Sequence, residues 1–225
     1  QEFMRSEAVN TNLIPGNATH DRWQYTAKWV YRLASNQNIE EANDDLKKAA
    51  DSGWNGAFMD VNLVRAFMLF HSKSEHFPGR LKPETEAAMK KYFFVRCDNQ
   101  DHSIKQWKEQ GQTTKDLAPG QAFAMALHAN KPMNFTSRDY LSLSVLKDDP
   151  EYQNMKFVAG DTVTDRYNAW NGYFKEFLKD WALNGLWVEL GSTGYEYHTY
   201  PSFVNLADFA PDPTTRQRAK MYLDL

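Results

Sequence analysis

The sequence predicts an all-α protein, specifically an α/α toroid: an incomplete barrel of antiparallel helix hairpins. Apolar residues recur at intervals of three and four in one segment after another, the spacing of a helix with a buried stripe. Counting those segments gives about nine helices and almost no strand, where an average domain holds over a fifth of its residues in strands. No period in sequence identity accompanies the helix pairs, so the chain is not a short-repeat array of the tetratricopeptide or ankyrin kind.

The elements follow in chain order. Residues 1–20 are an irregular lead-in: Gln1 to Arg5 hold no apolar signal-peptide stretch and read as a processed end or an engineered scar, and Ser, Asn, Pro and Gly are common from Ser6 to Thr19. The toroid domain then occupies residues 21–225. Asp21 is a candidate cap, and Trp23, Ala27, Val30 and Ala34 mark a first helix. Ile39 to Ala50 repeats the pattern more weakly, which makes an antiparallel helix pair the simplest arrangement.

Met59 to Phe70 is apolar over much of its circumference, with Val61, Val64 and Met68 on one stripe and Leu63, Phe67 and Phe70 beside it. It is expected to be an inner, buried helix. His71 to Lys82 is a polar loop. Pro83 followed by Glu84 and Glu86 opens the next helix, with proline at the first position and acids near the positive dipole end; it is expected to run to about Val95. The helical pattern fails between Arg96 and Gly111, where Asp98-Asn99-Gln100-Asp101-His102 forms a dense polar run suited to a functional loop.

Helices are expected again at Asp116 to Ala129, at Ser137 to Lys147 and from Thr164 onward. The last is marked by Tyr167, Trp170, Phe174, Phe177 and Trp181, and Asn184-Gly185 supplies its left-handed cap. A short extended run, Leu186 to Leu190, leads to the turn Gly191 to Gly194 and the cluster Tyr195, Tyr197, His198 and Tyr200. A helix with Phe203, Leu206 and Phe209 follows, Pro211-Asp212-Pro213 breaks it, and Thr214 to Leu225 starts another without a stop signal. A continuation beyond Leu225 is expected.

Composition narrows the function. A chain of 225 residues and 26.1 kDa buries roughly 70% of its unfolded surface and needs no disulfide framework, which the single Cys97 could not supply. Twenty-six basic and twenty-nine acidic residues are scattered rather than blocked, so no nucleic-acid partner is expected. Apolar runs such as Ala122 to Leu127 are too short for a membrane span. Aromatics make up 14% of a chain whose mean hydropathy is −0.69. With many Asn, Gln and Asp, that suits sugar binding; the plainer alternative is that the rings fill a helical core.

Metal and nucleophile signatures fail on spacing. His71 and His76 are five positions apart, which does not return to the same helical face, and Gly191-Ser192-Thr193-Gly194 lacks the order of a nucleophile elbow. No metal site and no cofactor are expected. Two polar constellations remain, Asp98 to His102 and Tyr195 to Tyr200, the second preceded by Glu189. Their amides, imidazoles and phenols are what β-elimination of a uronic-acid sugar needs. Hydrogen-bond donors neutralise the sugar carboxylate, a tyrosine or histidine takes the adjacent proton, and a phenol protonates the departing oxygen. A tyrosine, with a reference pKa of about 10, acts as a base only beside positive charge or donors to its phenolate. Arg96 and Arg166 are the candidate charges. Asn99 and Asp98 have a plainer reading as helix caps, His102 as a surface histidine, and Tyr195 and Tyr200 as packing residues.

Gly185-Leu186-Trp187-Val188-Glu189, Ser192-Thr193-Gly194-Tyr195 and Val204-Asn205-Leu206-Ala207-Asp208-Phe209-Ala210 resemble a bacterial α/α-toroid family related to polysaccharide lyases of the alginate and glucuronan type. The likeness covers the last third of the chain well and the Asp98 to Asp101 run more weakly. The resemblance implies that Tyr195 transfers the proton and that Asn99 neutralises the substrate carboxylate. Where relatives carry asparagine-histidine-aspartate, this chain has Asn99-Gln100-Asp101, and Gln100 cannot take a proton; the base is therefore Tyr195 alone, His102 or His198. Substrate contacts are expected from Asn99, Gln100, Arg96, Glu189, Tyr197 and Tyr200.

The expected partner is an acidic polysaccharide or oligosaccharide. The rivals are an inverting hydrolase using Asp60, Asp101 and Glu189, and a glycan-binding protein without chemistry. Polymer-degrading relatives are exported, and Asn17-Ala18-Thr19 and Asn134-Phe135-Thr136 match the glycosylation sequon, so a secreted or periplasmic location is expected.

Overall fold

In the computed structural model the described residues are 21–53, 57–99, 130–184 and 196–224. They form eight helices: α1 (Asp21–Ser35), α2 (Ile39–Asp51), α3 (Ala57–Phe70), α4 (Pro83–Asn99), α5 (Asn130–Leu146), α6 (Val163–Asn184), α7 (Glu196–Phe209) and α8 (Pro213–Leu223). Among the described residues the sole extended pairing is an isolated bridge between Lys156 and Thr162. The described residues are helical and connected by turns, as the apolar spacing predicts. The helix expected over Asp116 to Ala129 and the extended run Leu186 to Leu190 lie outside the described residues.

The chain divides into two compact units, Gln1–Tyr92 and Phe93–Leu225. In the first, α1 packs on α2 and α3. The α1–α2 pair is antiparallel, because contacts deeper in α1 meet residues farther along α2. Trp29 Nε1–H donates to Asp45 (3.2 Å), whereas Arg32, nearer the turn, pairs with Glu41 (2.7 Å). Two asparagines at positive φ, Asn36 (58°) and Asn38 (48°), make so short a reversal possible. α3 buries Val61, Leu63, Val64, Phe67 and Phe70, which bears out an inner helix, although Met68 is only half-buried.

The polar loop after α3 is fastened by side chains that bond backbone. Asn43, fully buried on α2, donates to the Arg80 carbonyl (3.0 Å) and accepts from the Lys82 N–H (2.7 Å). Ser74 Oγ–H is shared between the Met68 and Leu69 carbonyls, two of those orphaned at the end of α3. Glu86 accepts from the Ser72 N–H (2.7 Å) and pairs with Lys90 (2.6 Å).

In the second unit α5 packs on α6 and α7, and α8 packs on the same two helices. Each of the four therefore packs against two of the other three. Their interior is aromatic: Trp181 lies against Phe177 (ring centres 4.6 Å apart), Phe203 (6.1 Å) and Tyr222 (6.2 Å), joining α6 to α7 and α8. Asp212 caps α8 by accepting from the N–H groups of Thr214 and Thr215, and Pro213 takes the first helical position. These exchanges explain why Pro211-Asp212-Pro213 both ends one helix and starts the next.

Three helices begin or end elsewhere than the pattern predicts. α4 continues past Val95 to Asn99, held by tertiary contacts: Arg96 and Cys97 are buried, and Asp98 accepts from the Val158 N–H (2.8 Å). α5 starts at Asn130, with Pro132 accommodated in the first turn, where an N–H has no helical partner. α7 starts at Glu196, so Tyr197, His198 and Tyr200 lie on a helix rather than in a loop ahead of it.

Candidate functional site

The helices that carry the described ends of the two polar constellations, α4 and α7, both reach the first half of α5, within the second unit. From α4, the Arg96 guanidinium lies 6.0 Å from the centre of the Phe135 ring. From α7, Ser202 Oγ–H donates to Asn134 Oδ1 at 2.6 Å, and both side chains are fully buried. Asn134 and Phe135 are neighbours on α5. The last turn of α4, which ends at Asn99, and the early part of α7, which follows Tyr195 directly, thus rest on the same stretch of one helix.

Beneath this meeting point lies a buried polar layer. Arg138, wholly buried, donates from Nε (2.8 Å) and Nη2 (2.5 Å) to one carboxylate oxygen of Asp139, and its guanidinium lies 5.3 Å from the Phe135 ring centre. Phe135 therefore has two guanidinium groups against its ring, each attracted by the ring's negative face. The Cys97 thiol donates to the same Asp139 oxygen (3.5 Å). Burial, reinforced by the charge of Asp139, pushes the Cys97 thiol well above its ordinary value, so it stays protonated and is no nucleophile.

Arg166, proposed above as a charge to activate a tyrosine, has a structural occupation. Nε and Nη2 grip the two oxygens of Asp161 (2.7 and 2.8 Å), Nη1 donates to the Cys97 carbonyl (2.6 Å), and the guanidinium lies 3.8 Å from the Phe157 ring centre. It ties α6 to the end of α4. Burial works against its charge, but the hydrogen bonds and charge of Asp161 hold its pKa above the ordinary value.

The expected site residues divide as follows. Arg96 is buried in the last turn of α4, where a cation complements the negative end of the helix. Asn99 is the final residue of α4, and Tyr197 and His198 sit in the first turn of α7. Tyr200, at the end of that turn, is about half exposed (49%). Tyr195, His102, Gln100 and Glu189 lie outside the described residues, as does Asp101. Asp60, the remaining hydrolase candidate, is fully buried on α3 and accepts a hydrogen bond from the Tyr92 hydroxyl (2.5 Å), a position closed to substrate.

Other expectations are corrected or refined by burial. Trp29, Trp170 and Trp181 are each 1% exposed, so these three fill the core as the plainer reading of the composition requires. Asn134, one of the two sequon asparagines, is fully buried and hydrogen-bonded to Ser202, so the folded chain does not present it for glycosylation. An open apolar groove of about 340 Å³ between α6 and α8 is lined by Leu178, Ala182, Met221 and Tyr222 with Lys179 and Arg218, and contains none of the expected site residues. Among the described residues no group of three or more histidine, cysteine or acidic side chains could hold a metal, and no helix is long and apolar enough to cross a membrane.

The buried polar residues of α5 escape sequence reasoning. Asn134, Ser137, Arg138 and Ser142 read as an exposed face, and nothing local distinguishes them from one. A signal existed on α7, where Thr199, Ser202 and Asn205 recur at intervals of three and are all buried, a polar stripe along one helical face. No protein-family model, curated protein or solved structure matches the chain.

Proposed function

We infer that the protein is a polysaccharide lyase-like enzyme that cleaves a uronic-acid-containing polymer by β-elimination. The observation that carries this is the meeting on α5 of the helix ending in Asn99 and the helix that follows Tyr195. Elimination needs a donor on the sugar carboxylate and a base at the neighbouring carbon at once, and two stretches nearly a hundred positions apart can act together only if their helices share a support. The Arg96 guanidinium beside that support favours an anionic ligand, because charge acts more strongly where burial lowers the dielectric, whereas Arg138 is already neutralised by Asp139.

In this mechanism Asn99, with Gln100 beside it, donates hydrogen bonds to the uronate carboxylate and so stabilises the charge that develops when the adjacent proton leaves. Tyr195 takes that proton, with His102 or His198 as the alternative base, and a phenol returns a proton to the glycosidic oxygen as its bond to carbon breaks. Glu189, Tyr197 and Tyr200 contact the sugar chain. The carbon–oxygen bond is replaced by a carbon–carbon double bond conjugated with the carboxylate, and no redox change occurs. The hydrolase reading is less favoured, since it draws on a pair of carboxylates and Asp60 is buried under Tyr92.

Ultraviolet absorbance tests this directly. Incubation with a panel of uronate polymers is expected to raise the absorbance of a conjugated unsaturated uronate, and Tyr195→Phe is expected to abolish the rise while the helical circular dichroism is kept. Reducing ends appearing without that absorbance would indicate hydrolysis. Binding without either product would indicate a glycan-binding protein, and full activity in Tyr195→Phe would remove Tyr195 from the mechanism.

A further inference from the structure

α7 contains Pro201 at its sixth residue. In an uninterrupted helix the N–H of residue 201 would close onto the carbonyl of Tyr197, but proline has no N–H and its ring crowds that carbonyl. The first turn, residues 196–200, is therefore joined to the rest of the helix by fewer bonds than any later turn. It follows Tyr195 and carries Tyr197, His198 and Tyr200. Ser202, the next residue after the proline, makes the buried bond to Asn134 on α5.

The pair is an unusual way to hold two helices together. Both side chains are fully buried, and the other end of the Asn134 amide, Nδ2, has no hydrogen-bond partner among the described residues. Exchanging the amide's nitrogen and oxygen would only change which atom is left over. A buried polar group without a partner is destabilising, and an apolar pair of the same shape would avoid that cost. What an apolar pair would lack is direction: a hydrogen bond of 2.6 Å fixes the rotation and height of α7 on α5 at one residue.

We propose that Asn134 is a positioning residue: through Ser202 it anchors α7 immediately after the Pro201 break, and so sets the placement of the turn that follows Tyr195 and carries His198. This rests on the elimination mechanism for its catalytic consequence, but the anchoring itself does not. Asn134 touches no substrate in this arrangement and acts only through α7.

Hydrogen exchange tests the anchor without reference to activity. The amides of Tyr200, Ser202 and Phe203 bond back to the carbonyls of residues 196, 198 and 199, and so report the first turn. Ser202→Ala and Asn134→Ala are expected to speed their exchange about tenfold while leaving Leu206 to Phe209 nearly unchanged. Ser142→Ala, which removes another buried hydroxyl of α5, is expected to leave the turn untouched. Uniform acceleration along α7, or the same effect from Ser142→Ala, would overturn the proposal.

Against a uronate polymer, Ser202→Ala is expected to lower kcat about tenfold with KM within about twofold, the mark of misplaced reacting groups rather than lost binding. Faster exchange with unchanged kcat would overturn the positioning role. If the parent protein produces no unsaturated uronate, the elimination mechanism fails, while the exchange pattern still decides whether Asn134 anchors the turn.

Discussion

The two units bury polar groups in different ways. In the first, several buried side chains fasten backbone, alongside the buried Tyr92–Asp60 pair: Asn43 bonds to Ile39, Arg80 and Lys82, Ser74 to the end of α3, and Glu86 to Ser72. In the second, a group of buried side chains bond to one another, Arg138 to Asp139, Cys97 to Asp139 and Ser202 to Asn134, with Tyr140 bonded to the half-buried Asn171, while Arg166 also holds the Cys97 carbonyl. The first pattern fastens a loop of fixed shape to helices that pack through Leu33, Leu46, Val64 and Phe67. The second sets helices against one another in one register, around a core dominated by aromatic rings. Side chains that satisfy backbone serve the fold, whereas a network of side chains also fixes the rotation of each helix, which a site assembled from separate helices requires.

The largest effect that would break this contrast comes from the aromatic core. Trp181 bridges α6, α7 and α8, so Trp181→Ala is expected to destabilise the second unit by about 3–5 kcal/mol through lost burial and a residual cavity. The midpoint of urea unfolding measures it, and a loss below about 1 kcal/mol would show that the ring cluster is not what holds the four helices. Asn43→Ala is the counterpart in the first unit. It strips partners from the Lys82 N–H and the Arg80 carbonyl, and is expected to cost about 1–3 kcal/mol, read as faster amide exchange in the 71–82 loop ahead of the helices.

The smallest effect is a response to acid, expected of the first unit. Burial holds the His71 imidazole below its ordinary pKa, with nearby Lys90 and Lys73 adding to the effect and Glu86 opposing it. Burial would raise the Glu86 carboxyl, but Lys90 and the Ser72 bonds outweigh it and hold it low. In both cases the folded state binds fewer protons than the unfolded one, so stability falls as pH falls. The loss begins below the ordinary histidine value of 6.5 and resumes below the ordinary glutamate value of 4.5. His71→Asn, which retains a possible acceptor for the Lys73 N–H, is expected to remove the upper step from a plot of unfolding free energy against pH; an unchanged plot would acquit His71.

Much of the helical framework is legible in the sequence because its signals are local. Pro83 with Glu84 and Glu86 marks the start of α4, and the spacing from Tyr167 to Trp181 marks α6, since both depend on groups a turn or two apart. The ends of α4 and α7 are not legible. Asp98 and Asn99 look like loop residues, yet the last turn of α4 is held by Val158, and the Arg166 guanidinium reaches the Cys97 carbonyl from the far side of a long connection. Of the candidate site, the residue types and the expectation that two distant stretches act together come from the sequence. The support beneath them, Asn134, Phe135, Arg138 and Ser202, does not, because polar side chains at helical spacing look alike whether they meet water or one another.

The amino-acid order by itself determined that the described chain is helical and where most of its helices lie, because helix propensity, caps and apolar spacing act between near neighbours. Only the tertiary structure decided that Asp60 and three tryptophans belong to the core and that α4 and α7 meet on α5. It alone made a sequon asparagine a buried anchor. Burial and hydrogen bonding between residues such as Asn134 and Ser202, 68 positions apart, depend on which helices pack together, and no local pattern records that choice.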